Sequence, residues 1–213
     1  MYDQCSASLR AVVVALVLTT CAGLRPRRVP LAHSRAMRSA RAAGVTIKEA
    51  AGGKGLGAFT QRAITVGTWV AEYEGEVLTR AEVVVRYWGG FDEDDRYFAP
   101  TAADASWLAS RARRRVPTTG DYLFDLSGSL TFVGTRHEVF VDAEDVHRSG
   151  WTRFMNDADE HDCNLSTVVD RDATPFRLRF RATRDIEPGE ELQYSYGDEY
   201  WQEAEESVDE KGE

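Results

Sequence analysis

The sequence predicts a mostly-β domain built from short strands and few helices. Three observations carry this. Short apolar–polar alternations recur along the chain, each bounded by glycine or charged turns, as at Thr68 to Tyr73, Tyr122 to Leu126 and Phe176 to Arg181. Thr79 with Glu82 three residues on reads as a capping box opening a helix over Ala81 to Trp88, one of few helices expected. The chain has 213 residues with 43% hydrophobic and 29% charged content, enough for one globular domain with appendages.

The first 43 residues read as a leader outside the fold. Arg10 precedes an apolar run, Ala11 to Leu18, and Thr19-Thr20-Cys21-Ala22-Gly23 supplies small residues suited to cleavage. That run is too short to span a bilayer, so no stable membrane anchor is expected. Leu24 to Ala43 is rich in Arg, Ala and Ser and has no acid, like a transit peptide. A signal peptide followed by a transit peptide is the layout for a plastid reached through the secretory pathway. A disordered basic leader is the bland reading, with the nucleus as the alternative compartment.

The domain is expected over residues 44–197. Val45-Thr46-Ile47 starts it as a strand. Gly52 to Gly57 holds four glycines in six residues, a tight backbone with bare N–H groups that does not fit a phosphate loop. Ala63 to Gly67 and Thr68 to Tyr73 read as strands round a glycine turn, and Gly89-Gly90 ends the helix. Phe91 to Gly120 holds an acidic cluster, Asp92-Glu93-Asp94-Asp95, and a basic run, Arg111-Ala112-Arg113-Arg114-Arg115. It reads as a solvated loop, with a short helix possible around Trp107, or as a grip on an acidic partner. Leu130 to Val133 and Val139 to Val141 read as further strands, and Ile186 to Glu190 as a turn. The tail, 198–213, has eight acids and one lysine and reads as disordered beyond Tyr200 and Trp201.

Charge restricts the partners. Seven of the 26 basic residues and one of the 35 acids lie in residues 1–43, which leaves 19 and 34, a net charge of −15, for residues 44–213. Such a domain repels nucleic-acid phosphates and attracts basic polypeptides, unless the acidity serves solubility alone. Cys5, Cys21 and Cys163 stand far apart, so neither a zinc site nor a disulfide framework is expected.

The chemistry concentrates in two stretches, Trp151-Thr152-Arg153-Phe154-Met155-Asn156-Asp157 and Glu190-Glu191-Leu192-Gln193-Tyr194-Ser195-Tyr196-Gly197. Asn156 can donate and accept at once. In an extended segment Tyr194 and Tyr196 share one face. From spacing alone, an ordinary edge strand with aromatic packing is the more economical reading.

These stretches, with Gly53 to Phe59, Glu72-Tyr73-Glu74-Gly75-Glu76, and Tyr122 to Leu126 followed by Val141-Asp142-Ala143, resemble in order the motifs of SET-domain lysine methyltransferases. The resemblance covers Val45 to Gly197. It implies short curved sheets, few helices and a C-terminal segment threaded under the Arg-Phe-Met-Asn loop as a pseudoknot. It implies a protein-lysine N-methyltransferase that uses S-adenosylmethionine on a basic substrate, histone or organellar protein; a monomer is expected, and with the cysteines so far apart no metal is. Tyr196 takes the place of the catalytic tyrosine, with Tyr194 and Tyr122 as channel walls and Tyr194 biasing the product toward mono- and dimethyl-lysine. Lys54, Gly55, Leu56 and Gly57 offer backbone to the donor's methionine end. Asn156 and the Asp157 backbone meet the methionine end and the adenine. Arg153 and Phe154 frame that pocket, and Trp201 either stacks on the adenine or anchors the tail. The chain departs from the family at Asp157 and Ala158, where His-Ser is usual, at His161-Asp162-Cys163-Asn164, where Asn164 takes the final Asn, and at Ser195, where Asp is usual. Those departures leave a second expectation, a SET-like module without catalysis that binds basic peptides.

Overall fold

The computed structural model describes residues 31–92, 95–126, 139–159 and 161–196. Residues 1–30, the strand expected at Leu130 to Val133, Gly197, and the tail with Trp201 lie outside them. Four small sheets and three helices make up the described fold. Strand β1 (Val45–Glu49) pairs antiparallel with β2 (Leu56–Thr60), Val45 opposite Thr60. Strands β3 (Trp69–Glu72), β8 (Leu165–Asp170) and β9 (Arg177–Ala182) form an antiparallel sheet with β9 in the middle. Strands β4 (Glu76–Thr79), β5 (Leu123–Asp125) and β6 (Val139–Asp142) form another with β6 central. The two-residue strands β7 (Asn156–Asp157) and β10 (Gln193–Tyr194) pair in parallel.

The expected alternation holds best in β9, where Leu178, Phe180 and Ala182 point into the core and Arg177, Arg179 and Arg181 point out. Ala63 to Gly67 is not a strand. It contributes one bridge, Ile64 to Ile186, and its other apolar residues, Ala63 and Val66, are exposed. One core runs through Ala58, Tyr73, Leu126, Met155, Phe180, Leu192 and Tyr194, so the candidate site grows directly out of it. Gly75 lets two strands close up, since a side chain there would run into the Asp142 carbonyl.

The structure corrects two expectations. The first is the boundary at residue 43. Helix α1 (Arg35–Ala43) is part of the domain. Ser34 caps it by accepting from the Met37 N–H at 3.2 Å, and Gly44 ends it at a φ of 70°. Ala36 and Ala40, four residues apart, are fully buried, while Arg38 and Arg41 face solvent. Two methyl-sized side chains let the helix lie close against the Trp151–Phe154 turn. Alanine-rich composition also suits a transit peptide, which is why the sequence misled.

The second correction concerns Phe91 to Gly120. Helix α2 (Arg80–Tyr87) carries the expected capping box, and a second box, Thr101 with Asp104, opens helix α3 (Ala102–Arg114) in what had read as loop. Arg113 is exposed, but Arg111 and Arg114 are committed to internal pairs. Arg111 is 1% exposed, paired with Asp142 and, at 3.3 Å, with Glu144, and it stacks 4.0 Å from the Trp107 ring. Arg114 pairs with Asp145. The grip on an acidic partner is real, but the partner is the chain's own β6 and the turn after it. Burial pushes the Asp142 carboxyl up against the pull of Arg111. Burial is also the largest influence on Asp145 and acts upward, but the Arg114 bond, the His147 N–H bond and the charges of both residues together outweigh it and hold that carboxyl below its usual range.

Overpacking the buried face of α1 should therefore matter. Ala40→Leu is expected to lose about 1–3 kcal/mol in denaturant unfolding, while Arg41→Leu on the exposed face stays within about 0.5 kcal/mol. Equal, negligible effects would mean that the helix is an appendage.

Candidate active site

Three segments far apart in sequence meet at one place: the glycine loop at residues 51–57, the turn and strand at 151–157, and the thread at 189–196. The thread passes beside β2 through the Phe59–Glu191 bridge and the Leu192 N–H to Ala58 carbonyl bond at 2.7 Å. Its other side pairs with β7, Tyr194 opposite Asp157. Asn164 secures the crossing: its Nδ2 donates to the Glu191 carbonyl at 2.7 Å and its Oδ1 accepts from the Gln193 N–H at 2.9 Å. Asn164 does this from a nearly buried position, 2% exposed.

Arg153 acts as a rivet behind the site. Its Nε donates to the Ala143 carbonyl at 2.8 Å, its Nη2 to the Glu144 carbonyl at 3.3 Å, and its guanidinium lies 4.0 Å from the centre of the Tyr122 ring. Tyr122 is thereby held by a cation on its face, and Phe154 sits beside the same guanidinium at 5.1 Å. Asn156 bridges the segments, donating to Glu191 Oε1 at 2.8 Å and to the Leu56 carbonyl at 3.4 Å. Lys54 reaches across to the Asp157 carbonyl at 2.9 Å. Gly55 has a φ of 78°, and a Cβ on Gly57 would collide with the Glu191 carboxylate. The glycines thus serve the loop's curvature and the close approach of the thread.

Tyr196 is held at two points. Its N–H donates to Asp157 Oδ1 at 2.8 Å and its hydroxyl donates to the Met155 carbonyl at 2.7 Å. Its ring lies 5.0 Å from that of Tyr194, tilted by 45°, and Tyr194 packs in turn on Phe180 at 4.9 Å. The two phenols do share one wall, as alternation required. A cleft of about 340 Å³ opens beyond Tyr194, lined also by Cys163, Leu165, Ser166, Thr167, Thr183 and Ser195. Burial, then the charge of Asp157, pushes the Cys163 thiol up, away from a reactive thiolate.

Sequence reasoning missed Tyr73 as a site residue, although it lies inside a quoted motif. Its hydroxyl donates to the Tyr122 carbonyl at 3.1 Å, and burial followed by the neighbouring Tyr196 pushes its pKa far up. It also missed the cleft-lining hydroxyls of Ser166, Thr167 and Thr183, which carry no signal beyond their place on β8 and just after β9. Tyr194, Tyr196, Tyr122, Arg153, Phe154, Asn156, Asp157 and Lys54 are brought together, whereas Trp201 lies outside the described residues.

Comparison with solved structures returns polycomb repressive complex 2 chains. One, from Chaetomium thermophilum, is 24% identical over 72% of this chain, with a TM-score of 0.44. Another, an active complex in the stimulated state, is 25% identical over 72% of this chain, with a TM-score of 0.47. This chain spans only 15% of the length of either. The family model for the SET domain matches residues 55–197, well over half the chain, taking in the end of the glycine loop and the whole of the other two segments of the site. The protein belongs to the SET-domain family, whose members are mostly protein-lysine methyltransferases.

Proposed function

We propose that the protein is a protein-lysine N-methyltransferase that takes a methyl group from S-adenosylmethionine and places it on a lysine side chain of a basic protein, a histone or an organellar protein. The observation that carries this reading is the placement of the Tyr196 hydroxyl, fixed on the Met155 carbonyl between the Asn156 turn and the Tyr194 wall. The residues fit a cationic donor. The oxygens of Met155 and Tyr196 are gathered at one point, and the nearby Lys54 ammonium is bonded to the Asp157 carbonyl. The donor supplies an electrophilic methyl carried on sulfur.

The chain's own groups do the rest by alignment. Lys54, Gly55, Leu56 and Gly57 present loop backbone, with Asn156 tying that loop to the thread through Leu56 and Glu191. Arg153 and Phe154 hold the turn, and Tyr122 rests on the same guanidinium. The cleft beside Tyr194 is the entry for the acceptor lysine. Of its lining, Leu165 and Tyr194 are buried while Ser166, Thr167, Thr183 and Ser195 are exposed, so the amine is desolvated where it meets the Tyr194 wall, which eases loss of the proton before attack. No carboxylate among the lining residues serves as a base. The charge of Asp157, Asp159 and Asp162, felt at Cys163 on the cleft wall, favours a basic peptide at the mouth.

A binding module without catalysis was motivated by Asp157 and Ala158. What weighs against it is how both are accommodated. The Asp157 carboxylate is engaged by the Tyr196 N–H, and Ala158 is buried, with its carbonyl accepting from Cys163 Sγ at 3.2 Å.

Transfer to core histones and to a lysine peptide array should be visible by mass spectrometry. Tyr196→Phe should lower it by about 10²-fold or more, the scale on which a single transition-state oxygen contact acts. A variant that transfers at the wild-type rate would refute the role. The main products should be mono- and dimethyl-lysine. In Tyr194→Phe, the higher state should rise by roughly three- to tenfold, the weight of one hydrogen bond. Mainly trimethyl-lysine from the wild type would remove Tyr194 as the gate.

A further inference from the structure

We infer that Asp157 is a positioning residue whose carboxylate sets the backbone of Tyr196. The inference rests on the methyltransferase reading for its consequence, and on geometry alone for the contact itself.

The parallel ladder between β7 and β10 is only two pairs long, Gln193 with Asn156 and Tyr194 with Asp157. A longer ladder would offer the next N–H of the thread a main-chain carbonyl. Here β7 ends at Asp157, while Tyr196 still has to be held. In place of a main-chain carbonyl, Asp157 Oδ1 accepts the Tyr196 N–H at 2.8 Å. A charged acceptor makes a shorter and stronger bond than a neutral one. The same residue's carbonyl accepts from Lys54 Nζ at 2.9 Å and from Gln193 Nε2 at 3.4 Å. One aspartate therefore ties the glycine loop, the Asn156 turn and the thread together. The Tyr196 hydroxyl ends two residues away, on the Met155 carbonyl. With both ends of Tyr196 bound to residues 155–157, the ring has little freedom to swing. A shift of about 1 Å at such a group is enough to cost some 10²-fold in rate.

The test is amide exchange in the 15N-labelled full-length protein, read at Tyr196, with Phe180 in central strand β9 as a monitor of the fold. In the wild type, Tyr196 should exchange at least tenfold more slowly than a free peptide. Asp157→Ala should speed it by about tenfold or more without moving Phe180, while Asp157→Asn, which keeps the acceptor oxygen, should stay near wild type. A wild-type Tyr196 amide exchanging at the free-peptide rate overturns the assignment, whether or not the alanine variant folds. Unchanged protection in Asp157→Ala, or equal loss in both variants, overturns it too. In the activity arm, with S-adenosylmethionine and core histones, kcat should fall about tenfold in Asp157→Ala, with KM for the donor within about threefold, and recover in Asp157→Asn. Absence of transfer by the wild type would refute the methyltransferase reading while leaving the exchange result to decide the contact.

Discussion

A two-residue parallel pairing is too short to hold a chain segment in place, yet the whole candidate site depends on β10 lying beside β7. The missing hold comes from side chains. Asn164 fills both the Glu191 carbonyl and the Gln193 N–H, and Asn156 reaches Glu191 from the opposite strand. Each of these amides replaces a ladder bond that so short a strand cannot supply, and the apolar residues between, Leu192 and Tyr194, sink into the core. Threading thus exchanges regular hydrogen bonding for a set of specific ones. The gain is that three distant segments converge where a single long strand could bring only one.

Cations are used throughout as internal fasteners. Arg153 joins the turn to the end of β6 and to the Tyr122 face, and Arg111 joins α3 to β6. Such buried groups are costly unless their donors are matched, and Arg111 gathers Asp142, Glu144, Tyr87 and the Pro117 carbonyl around its Nη1 and Nη2, leaving its Nε without a partner. Much of the acidity that looks, by composition, like a solubility device is in this way committed to internal pairs. Asp142, Glu144 and Asp145 are all nearly fully buried. The acidity that remains for a partner is more local than the net charge suggests, and Asp157, Asp159 and Asp162, whose charges reach Cys163 on the cleft wall, are its best-placed share.

What was legible in the sequence was legible for physical reasons. The alternation in Arg177 to Ala182 and the capping box at Thr79 are local patterns, and both formed as written. The site residues were legible because their order along the chain matched a family, not because spacing required them. Two things were hidden. The role of α1 depends on what Ala36 and Ala40 touch, which no composition reveals. The role of Arg111 depends on acids some thirty residues later, so a basic run looked solvated when its partners lay on another element. The consequence of Asp157 was hidden in the same way, since a substituted motif residue cannot disclose that its carboxylate meets the Tyr196 amide.

The central claim is that the glycine loop, the Asn156 turn and the thread form one working donor pocket. Titration calorimetry of S-adenosylmethionine into the full-length protein tests it most directly. Saturable binding at one molecule per chain, weakened at least about tenfold in Asn156→Ala by loss of the bonds to Leu56 and Glu191, is the predicted result. No binding by a folded wild type, or equal binding by both proteins, would contradict it.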